Sequence, residues 1–294
     1  MRLRALAPAK VNLGLFLGAT REDGRHRLVT VFESLSLADV VEATVLPEGS
    51  ADQVICPGIE GENLAARALL ALRARGWAGP PLALEIEKRI PVAAGMAGGS
   101  ADAAAALRLA RAIAPGRAEE VDLVAASLGA DVPAQLLPGV AVGTGAGEIV
   151  EHFEPLAEHA FVVLPSEFSL STPDVFREAD RLGIRRNDAN LGAQYLDAVD
   201  AVLEGRIPDQ LLVNDLERAA VSLCPACGDA LAAVREAGAE HALLSGSGPT
   251  VVGIWWGSGA LSGAEAAVPA LRARWPGAMT ATPVSAEFAA PTLI

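Results

Sequence analysis

Apolar residues run together or alternate with polar ones in two long segments near the start of the chain, residues 2–17 and 28–46. This pattern predicts two β-strands. The polar stretch between them, residues 20–27, contains Asp23 followed by Gly24 and predicts a hairpin-like turn. An alternation over residues 82–87 predicts a half-buried strand that leads directly into a glycine-rich segment.

Helical patterns follow in the same half of the chain. Residues 63–75 predict a helix, and the alanine run 103–106 predicts another that starts behind the glycine-rich segment, with Ser100 as its N-cap. A further helix is predicted over residues 119–128. Asp131 then lies just past the end of this helix, at the start of an irregular apolar segment.

The charged, proline-marked region 151–160 predicts a boundary between two domains, residues 1–152 and residues 153–294. Beyond it, the apolar pattern predicts strands at 161–164, 241–244, 250–256 and 279–285, helical segments at 173–182, 196–223, 225–237 and 262–274, and a polar section at 183–195. This order resembles a split βαβ sheet with helices on one side, which makes the expected fold class α+β.

The composition narrows the classes of function. The net charge of −13 argues against a nucleic-acid groove, which usually carries a basic surplus. No apolar run is long enough to span a bilayer, so we expect no membrane partner. The first residues predict a strand and not a signal peptide, which favours a cytoplasmic protein. We expect a monomer or a weak homodimer.

The chain contains three cysteines, which argues against a disulfide framework. Cys224 and Cys227 have the CxxC spacing, but a structural zinc site needs four ligands and the sequence holds no second pair. We therefore predict that these side chains are ordinary reduced thiols.

The glycine-rich segment ahead of the alanine run carries the clearest chemical signal. Its glycines let backbone N–H groups approach a ligand, and a helix that begins behind them adds unpaired N–H donors and the positive end of its dipole, which suits a phosphate group. It is neither a Walker A loop nor a dinucleotide-binding fingerprint, because the Gly-Lys pair and the GxGxxG spacing are absent. A purely structural turn is the alternative at this point. The candidate phosphate-binding residues are Pro91, Val92, Ala93, Ala94, Gly95, Met96, Ala97, Gly98, Gly99, Ser100 and Ala101.

Two other segments are candidates on weaker grounds. Only two of the 23 basic residues are lysines, Lys10 and Lys88, so a lysine that remains could be needed for its compact amine, and we single out Lys10. Asn12 lies two residues further along the same predicted strand and therefore on the same face. Residues 244–250 form a second glycine-rich turn, for which a plain hairpin loop is the alternative.

In this order and at these separations, the three segments resemble the signature motifs of the GHMP kinases (galactokinase, homoserine kinase, mevalonate kinase and phosphomevalonate kinase). Within that superfamily the chain is most similar to the 4-diphosphocytidyl-2-C-methyl-D-erythritol kinases. The resemblance is carried by residues 9–13, 21–26, 90–104, 128–133, 171–176, 214–217 and 245–250. Two of its stretches, Asp-Gly-Arg-His at 23–26 and Gly-Ala-Asp-Val-Pro at 129–133, separate the chain from other members of the superfamily.

The resemblance implies both a fold and a reaction. The N-terminal domain would be ribosomal-protein-S5-domain-2-like and the C-terminal domain ferredoxin-like, with the active site in the cleft between them. ATP, together with Mg²⁺, would phosphorylate the 2-hydroxyl of 4-diphosphocytidyl-2-C-methyl-D-erythritol, a step of the non-mevalonate isoprenoid precursor pathway. Phosphoryl transfer of this kind depends on in-line positioning and charge neutralisation more than on covalent chemistry.

The resemblance also implies roles for individual residues. Asp131 would orient the attacking hydroxyl and take its proton, Lys10 would lie beside it as the second catalytic residue, and residues 91–101 would wrap the ATP phosphates. The residues implied in substrate binding are Asn12, Arg25, His26, Thr172, Phe176, Ser247 and Gly248.

Two positions depart from the family pattern. Position 25 is often tyrosine, and Arg25 could either stack on the cytosine or reach the diphosphate. Position 101 is often serine, and Ala101 leaves the protein ligands of Mg²⁺ undefined.

Two alternative functions remain, a GHMP kinase for homoserine or a mevalonate derivative, and a nucleotide-binding relative without catalysis. The turn with Arg25 and His26 argues against the first, and the presence of both Lys10 and Asp131 argues against the second.

Overall fold

The computed structural model describes residues 1–59, 61–92, 94–115 and 118–294, which fold into two lobes that are each built on one β-sheet. The strands of the first lobe are β1 (Arg2–Thr20), β2 (His26–Val45), β3 (Gln53–Ile55), β4 (Leu82–Glu87), β5 (Val140–Thr144) and β6 (Ile149–Phe153). Its helices are α1 (Leu64–Ala74), α2 (Gly98–Ile113), α3 (Ala118–Leu128) and α4 (Val132–Leu136).

The second lobe follows in the chain. Its strands are β7 (His159–Leu164), β8 (His241–Leu244), β9 (Val251–Trp256) and β10 (Met279–Ala281). The helices in this part are α5 (Thr172–Arg181), α6 (Asp188–Leu203), α7 (Glu217–Leu223), α8 (Ala226–Glu236) and α9 (Ala260–Arg272), with short 3-10 helices at Asp209–Leu211 and Ala286–Ala289. A last strand, β11 (Thr292–Leu293), returns to the first sheet.

The long antiparallel hairpin of β1 and β2 forms the centre of the first sheet. The strand order is β11-β1-β2-β4-β3, and β5 pairs with β2 and carries β6 on its other side. Apolar side chains of β1, β2 and β4 pack against α1, α2 and α3. The alanines at 103–106 of α2 are fully buried there, because their small side chains let the helix lie close to its neighbours.

The two lobes share a hydrophobic core. The second sheet has the strand order β10-β7-β9-β8, and α5, α7, α8 and α9 pack in one cluster with it. A different cluster joins the two sheets, because Val11 and Val31 of the first hairpin pack together with Phe161 and Val252 of the second lobe. This apolar contact fixes the lobes relative to each other and so defines the cleft between them.

The C-terminal segment crosses back to the first lobe. Strand β11 pairs antiparallel with β1, and the buried guanidinium of Arg108 in α2 donates to the carbonyl oxygens of Ala289 and, at 2.9 Å, Leu6. A domain boundary near residue 152 does not account for this last segment, which follows the second lobe in the chain but pairs with the first. The division into residues 1–152 and 153–294 stays a prediction.

Among the described residues, no helix combines the length and the apolar composition that crossing a membrane requires.

The hairpin of β1 and β2 and the α+β class are confirmed, but some predicted boundaries are wrong. Helix α6 begins at Asp188, inside the polar section and before the predicted helical start at 196, because the Asn187 side chain accepts a hydrogen bond from the N–H of Asn190 and caps it. Helix α2 begins at Gly98, so Ser100 lies within its first turn and is not its N-cap. The apolar segment after Asp131 forms the short helix α4, and β10 ends at Ala281 instead of 285.

Candidate active site

A cavity of about 850 Å³ opens where the two lobes meet, and residues of both lobes line it. Most residues singled out from the sequence lie on its wall, namely Lys10, Asn12, Arg25, His26, Pro91, Val92, Ala94, Gly95, Met96, Ala97, Gly98, Gly99, Asp131, Thr172, Phe176, Ser247 and Gly248. Ser100 and Ala101 do not line the cavity, and Ala101 is fully buried. Ala93 lies outside the described residues.

The glycine-rich loop enters α2 through a left-handed turn. Gly95 has a φ of +76° and Ala97 a φ of +55°, a region of backbone conformation that residues other than glycine rarely adopt. Because α2 starts at Gly98, the N–H groups of Gly98, Gly99 and Ser100 have no carbonyl partner within the helix. Gly98 and Gly99 line the cavity, so these donors and the positive end of the helix dipole suit a phosphate group.

Lys10 and Asp131 form an ion pair in the cavity. Lys10 Nζ lies 3.6 Å from Asp131 Oδ1, and the lysine side chain is 6% exposed whereas the carboxylate is 36% exposed. The backbone N–H of Lys10 donates to the carbonyl oxygen of Met96 at 3.2 Å, which ties β1 to the glycine-rich loop. Asp131 is the residue immediately before α4. This arrangement presents a buried ammonium and an accessible carboxylate to any hydroxyl bound between them.

Lys10 and Asn12 share one face of β1. Lys10 Nζ donates to Asn12 Oδ1 at 2.7 Å, and Asn12 Nδ2 donates to Thr30 Oγ1 of β2 at 2.7 Å. The ammonium also lies 5.4 Å from the ring centre of Phe32. The buried position of Lys10 is therefore held by polar and aromatic groups on the hairpin itself, before any ligand binds.

A buried charge cluster beneath the glycine-rich loop was missed by the sequence reasoning. Lys88 Nζ donates to Asp102 Oδ2 at 2.7 Å and also to the fully buried Asp39. Asp39 Oδ1 in turn accepts from the backbone N–H groups of Arg89 at 2.5 Å and Ile90 at 2.8 Å. These bonds fix the chain at the point where it enters the loop.

Burial and charge act against each other in this cluster. Burial raises the pKa of Asp102 to about 7, although the ammonium of Lys88 opposes the shift. Burial lowers the pKa of Lys88, but the two carboxylates more than offset it, so the net shift is upward. The scarcity of lysine that pointed to Lys10 applies equally to Lys88, and it was the one available signal for this cluster.

A glycine-rich turn of the second lobe meets the loop of the first. Ser245 Oγ donates to the carbonyl oxygen of Gly95 at 3.2 Å. The buried Asn214 donates through Nδ2 to the carbonyl oxygens of Leu244 at 2.8 Å and Gly246 at 2.7 Å, which holds this turn in place. The sequence singled out Asn214 within a motif without indicating this contact.

Aromatic and hydroxyl groups form another part of the cavity wall. His26 Nε2 lies 2.8 Å from Asp180 Oδ1, and the ring centres of His26 and Phe176 are 5.1 Å apart. Thr172 Oγ1 lies 2.9 Å from Ser247 Oγ, so the start of α5 contacts the second glycine-rich turn. This part of the wall offers an aromatic face and hydrogen-bonding groups side by side, which is a suitable environment for a planar polar ring.

Arg25 lies beside this wall. Its guanidinium donates to Asp23 Oδ2 through Nε at 3.0 Å and Nη2 at 2.9 Å, and Nη2 lies 3.7 Å from Glu148 Oε1. The backbone N–H and the side chain of Arg25 lower the pKa of Asp23. Asp23 therefore holds the guanidinium in position at the cavity.

Carboxylates that could help to hold Mg²⁺ line the same cavity. The described residues contain no group of three or more His, Cys, Asp or Glu side chains placed to hold a metal ion. Mg²⁺ that is carried by phosphates needs only one or two protein carboxylates. Asp102 and Asp131 both line the cavity, and Asp102 Oδ1 is buried without a hydrogen-bond partner. These carboxylates are of the ligand type that Mg²⁺ prefers, so they are the candidates for holding an ion that enters with a nucleotide.

Comparison with protein families and curated relatives gives a consistent result. Residues 63–139 match the GHMP kinases N terminal domain, and residues 200–273 match the GHMP kinases C terminal domain. The chain is 43% identical over 270 residues to the 4-diphosphocytidyl-2-C-methyl-D-erythritol kinase of Streptomyces coelicolor, which covers 85% of this chain and 86% of that protein. It is 40% identical over 277 residues to the kinase of the same name from Anaeromyxobacter dehalogenans, which covers 91% of this chain and 85% of that protein.

Solved structures show the same relationship. A crystal structure of 4-(cytidine 5'-diphospho)-2C-methyl-D-erythritol kinase superposes with a TM-score of 0.76 at 33% identity, over 95% of this chain and 98% of that one. A homoserine kinase from Cytophaga hutchinsonii superposes with a TM-score of 0.68 at 17% identity, over 100% of this chain and 97% of that one, which is a likeness of fold alone. The chain therefore belongs to the GHMP kinases, and within them to the family of the 4-diphosphocytidyl-2-C-methyl-D-erythritol kinases.

Proposed function

We propose that this kinase transfers the γ-phosphoryl group of ATP to the 2-hydroxyl of 4-diphosphocytidyl-2-C-methyl-D-erythritol, in the non-mevalonate route to isoprenoid precursors. The observation that carries the proposal is the Lys10–Asp131 pair, whose charged atoms lie 3.6 Å apart in the cavity that also contains the glycine-rich loop. The names of relatives with 40% identity or more support the choice of acceptor.

The chemistry follows from the groups around this pair. Asp131 accepts the proton of the attacking hydroxyl, and general base catalysis of this kind is typically worth about 10²–10⁴-fold in rate. Lys10 places its positive charge beside the oxygens of the group in transfer. The N–H groups of Gly98 and Gly99 bind phosphate oxygens at the start of α2. The protein's contribution is thus positioning and charge stabilisation.

The cytidine end of the acceptor is assigned to the wall that contains His26, Phe176 and Thr172. Phe176 offers a ring on which a base can stack. His26 Nε2 is engaged by Asp180 and Thr20, which leaves Nδ1 for a hydrogen bond with a ligand. Asn12, Ser247 and Gly248 line the same cavity and complete the contacts to the acceptor, and the guanidinium of Arg25 is available either to stack on the cytosine or to bind the diphosphate.

Mg²⁺ is expected to enter with ATP. The residues that would hold it are Asp102 and Asp131, and the ion would supply neutralisation of the phosphate charge. Neither residue binds the ion alone, because most of its ligands would be phosphate oxygens and water.

An ADP-release assay with three acceptors tests the proposal. The wild-type enzyme is supplied with ATP, Mg²⁺ and either the cytidyl substrate, homoserine or mevalonate, and ³¹P NMR identifies the product as a phosphate monoester. We expect kcat/KM for the cytidyl substrate to be at least about 100-fold higher than for homoserine or mevalonate, because only the cytidyl substrate carries a base that can contact His26 and Phe176. Preferred turnover of homoserine or mevalonate would favour the alternative acceptor. ATP binding without turnover of any acceptor would favour a non-catalytic relative.

A further inference from the structure

Thr30 of β2 lines the cavity although its side chain is almost completely buried. Its hydroxyl makes two hydrogen bonds of 2.7 Å, one with Asn12 Nδ2 and one with the carbonyl oxygen of Gly14. Neither contact is to a residue of its own strand, so the hydroxyl connects β2 to the segment of β1 that carries Lys10.

Only one assignment of donors and acceptors is consistent with these contacts. An ammonium can only donate, so the Asn12 atom that lies 2.7 Å from Lys10 Nζ must be Oδ1. The Asn12 nitrogen then faces Thr30, whose oxygen must accept. The hydrogen of the Thr30 hydroxyl goes to the Gly14 carbonyl oxygen, which can only accept.

The Gly14 carbonyl lies where the pairing of β1 with β2 shifts. Asn12 pairs with Phe32, whereas Gly14 pairs with the adjacent Val31, so one residue of β1 has no partner between them. This is the geometry of a β-bulge, a feature that redirects side chains and disrupts the local ladder. The Thr30 hydroxyl therefore spans the bulge and fixes the backbone next to Asn12.

We propose that Thr30 is a positioning residue for phosphoryl transfer. Its hydroxyl holds the Asn12 amide with the oxygen toward Lys10, and Asn12 in turn keeps the ammonium within reach of Asp131. Without the hydroxyl, rotation of the amide by 180° would place its NH₂ group against the ammonium and displace Lys10. The inference rests on the proposed function, because it takes Lys10 to act on the group in transfer.

The test compares Thr30→Val, which has the same shape and no hydroxyl, with Thr30→Ser, which keeps the hydroxyl. We expect Thr30→Val to lower kcat by about 10–100-fold, since a misplacement of 1 Å can cost about 10²-fold. The KM for ATP should stay at its wild-type value, because the contacts of the glycine-rich loop are unchanged. Thr30→Ser should have a kcat close to that of the wild type, because it keeps the hydroxyl. Melting temperatures report any loss of fold, and Thr30→Ala replaces Thr30→Val if the latter does not fold.

A double-mutant cycle separates action through Asn12 from a merely structural effect. If Thr30 acts by orienting the amide, Asn12→Ala and the double variant Asn12→Ala with Thr30→Val should have the same kcat. Additive losses, a wild-type kcat in Thr30→Val, or equal damage in Thr30→Ser would each overturn the inference. Absence of turnover in the wild-type enzyme would instead overturn the proposed function, so the two failures are distinguishable.

Discussion

Ser245 Oγ donates a hydrogen bond of 3.2 Å to the carbonyl oxygen of Gly95, and this contact joins the glycine-rich loop of the first lobe to the turn of the second. A Cβ added at Gly95 would lie 2.5 Å from the carbonyl oxygen of Gly248 and 2.8 Å from that of Ser245. The two segments therefore pack backbone against backbone, and neither can shift without moving the other.

Gly95→Ala should reduce both kinase activity and stability, because the new methyl group would collide with backbone atoms in a position that also requires a positive φ. Overpacking of this kind costs about 1–3 kcal/mol. Gly192→Ala is the control, since its Cβ would meet no heavy atom within 4 Å and Gly192 lies in α6, outside the cavity. ADP release and thermal denaturation measure both variants. Similar losses in the two, or none in Gly95→Ala, would contradict the close packing of loop and turn.

Asp131→Asn should retain the fold and the affinity for ATP measured without Mg²⁺, while kcat falls by about 10²–10⁴-fold, because the amide cannot accept the proton of the acceptor hydroxyl. The kcat is measured by ADP release and the ATP affinity by calorimetry. Asp188→Asn, which removes an exposed carboxylate paired with Arg27, serves as the control. A kcat close to wild type in Asp131→Asn would remove this carboxylate from the mechanism.

Lys88→Met should destabilise the protein by about 3–5 kcal/mol, since it leaves the buried carboxylates of Asp39 and Asp102 without their shared cation. Urea denaturation measures the free energy of unfolding. Arg111→Met, at an exposed position in the last turn of α2, is the control and should have little effect. If both variants unfold at the same urea concentration as wild type, the cluster does not stabilise the entry to the loop.

His159 predicts a pH-dependent stability at the contact between the lobes. Its Nε2 lies 2.7 Å from Glu33 Oε2, and its Nδ1 lies 2.7 Å from the carbonyl oxygen of Ala157. Burial lowers the pKa of His159, but the hydrogen bond and charge of Glu33 outweigh this effect, so the pKa is raised from 6.5. A histidine whose pKa is higher in the folded than in the unfolded protein contributes its full stabilisation at pH values below the unfolded pKa. This contribution is lost as the pH rises through the folded pKa.

We therefore expect the stability difference between the wild type and His159→Gln to be largest below the unfolded pKa of 6.5 and to shrink as the pH rises through the raised pKa of the folded protein. Urea denaturation at a series of pH values measures it. The double variant Glu33→Gln with His159→Gln removes both charges and gives the baseline. A difference that stays constant over this pH range, or grows with pH, would show that the imidazolium does not contribute.

The sequence predicted the parts of the site that depend on local pattern. Glycines followed by an alanine-rich helix indicated a phosphate loop, and the alternation that places Lys10 and Asn12 on one strand face holds in the structure. The motifs, in the same order along the chain as in the GHMP kinases, then predicted the family, and the relatives confirm it. The roles of the individual site residues remain predictions.

Contacts between residues far apart in sequence could not be found in this way. Asp39 meets Lys88 and Asp102 only because β2, the end of β4 and the start of α2 converge, and no local pattern marks Asp39 as their partner. Helix α6 was predicted to start late because its first turns expose polar side chains, and the Asn187 cap is visible only once the helix is known. Local propensity has no information about such tertiary contacts.

The guanidinium of Arg108 has consequences for how the protein is made. Its carbonyl partner at Ala289 lies 181 residues further along the chain, so these residues must be synthesised before the guanidinium can reach this acceptor. The first lobe is completed by the segment that contains Ala289 and β11, and a fragment that stopped at residue 152 would lack both this acceptor and the edge strand β11. The first lobe therefore depends on residues that follow the second lobe in the chain, and it cannot form all of its native contacts before they are synthesised.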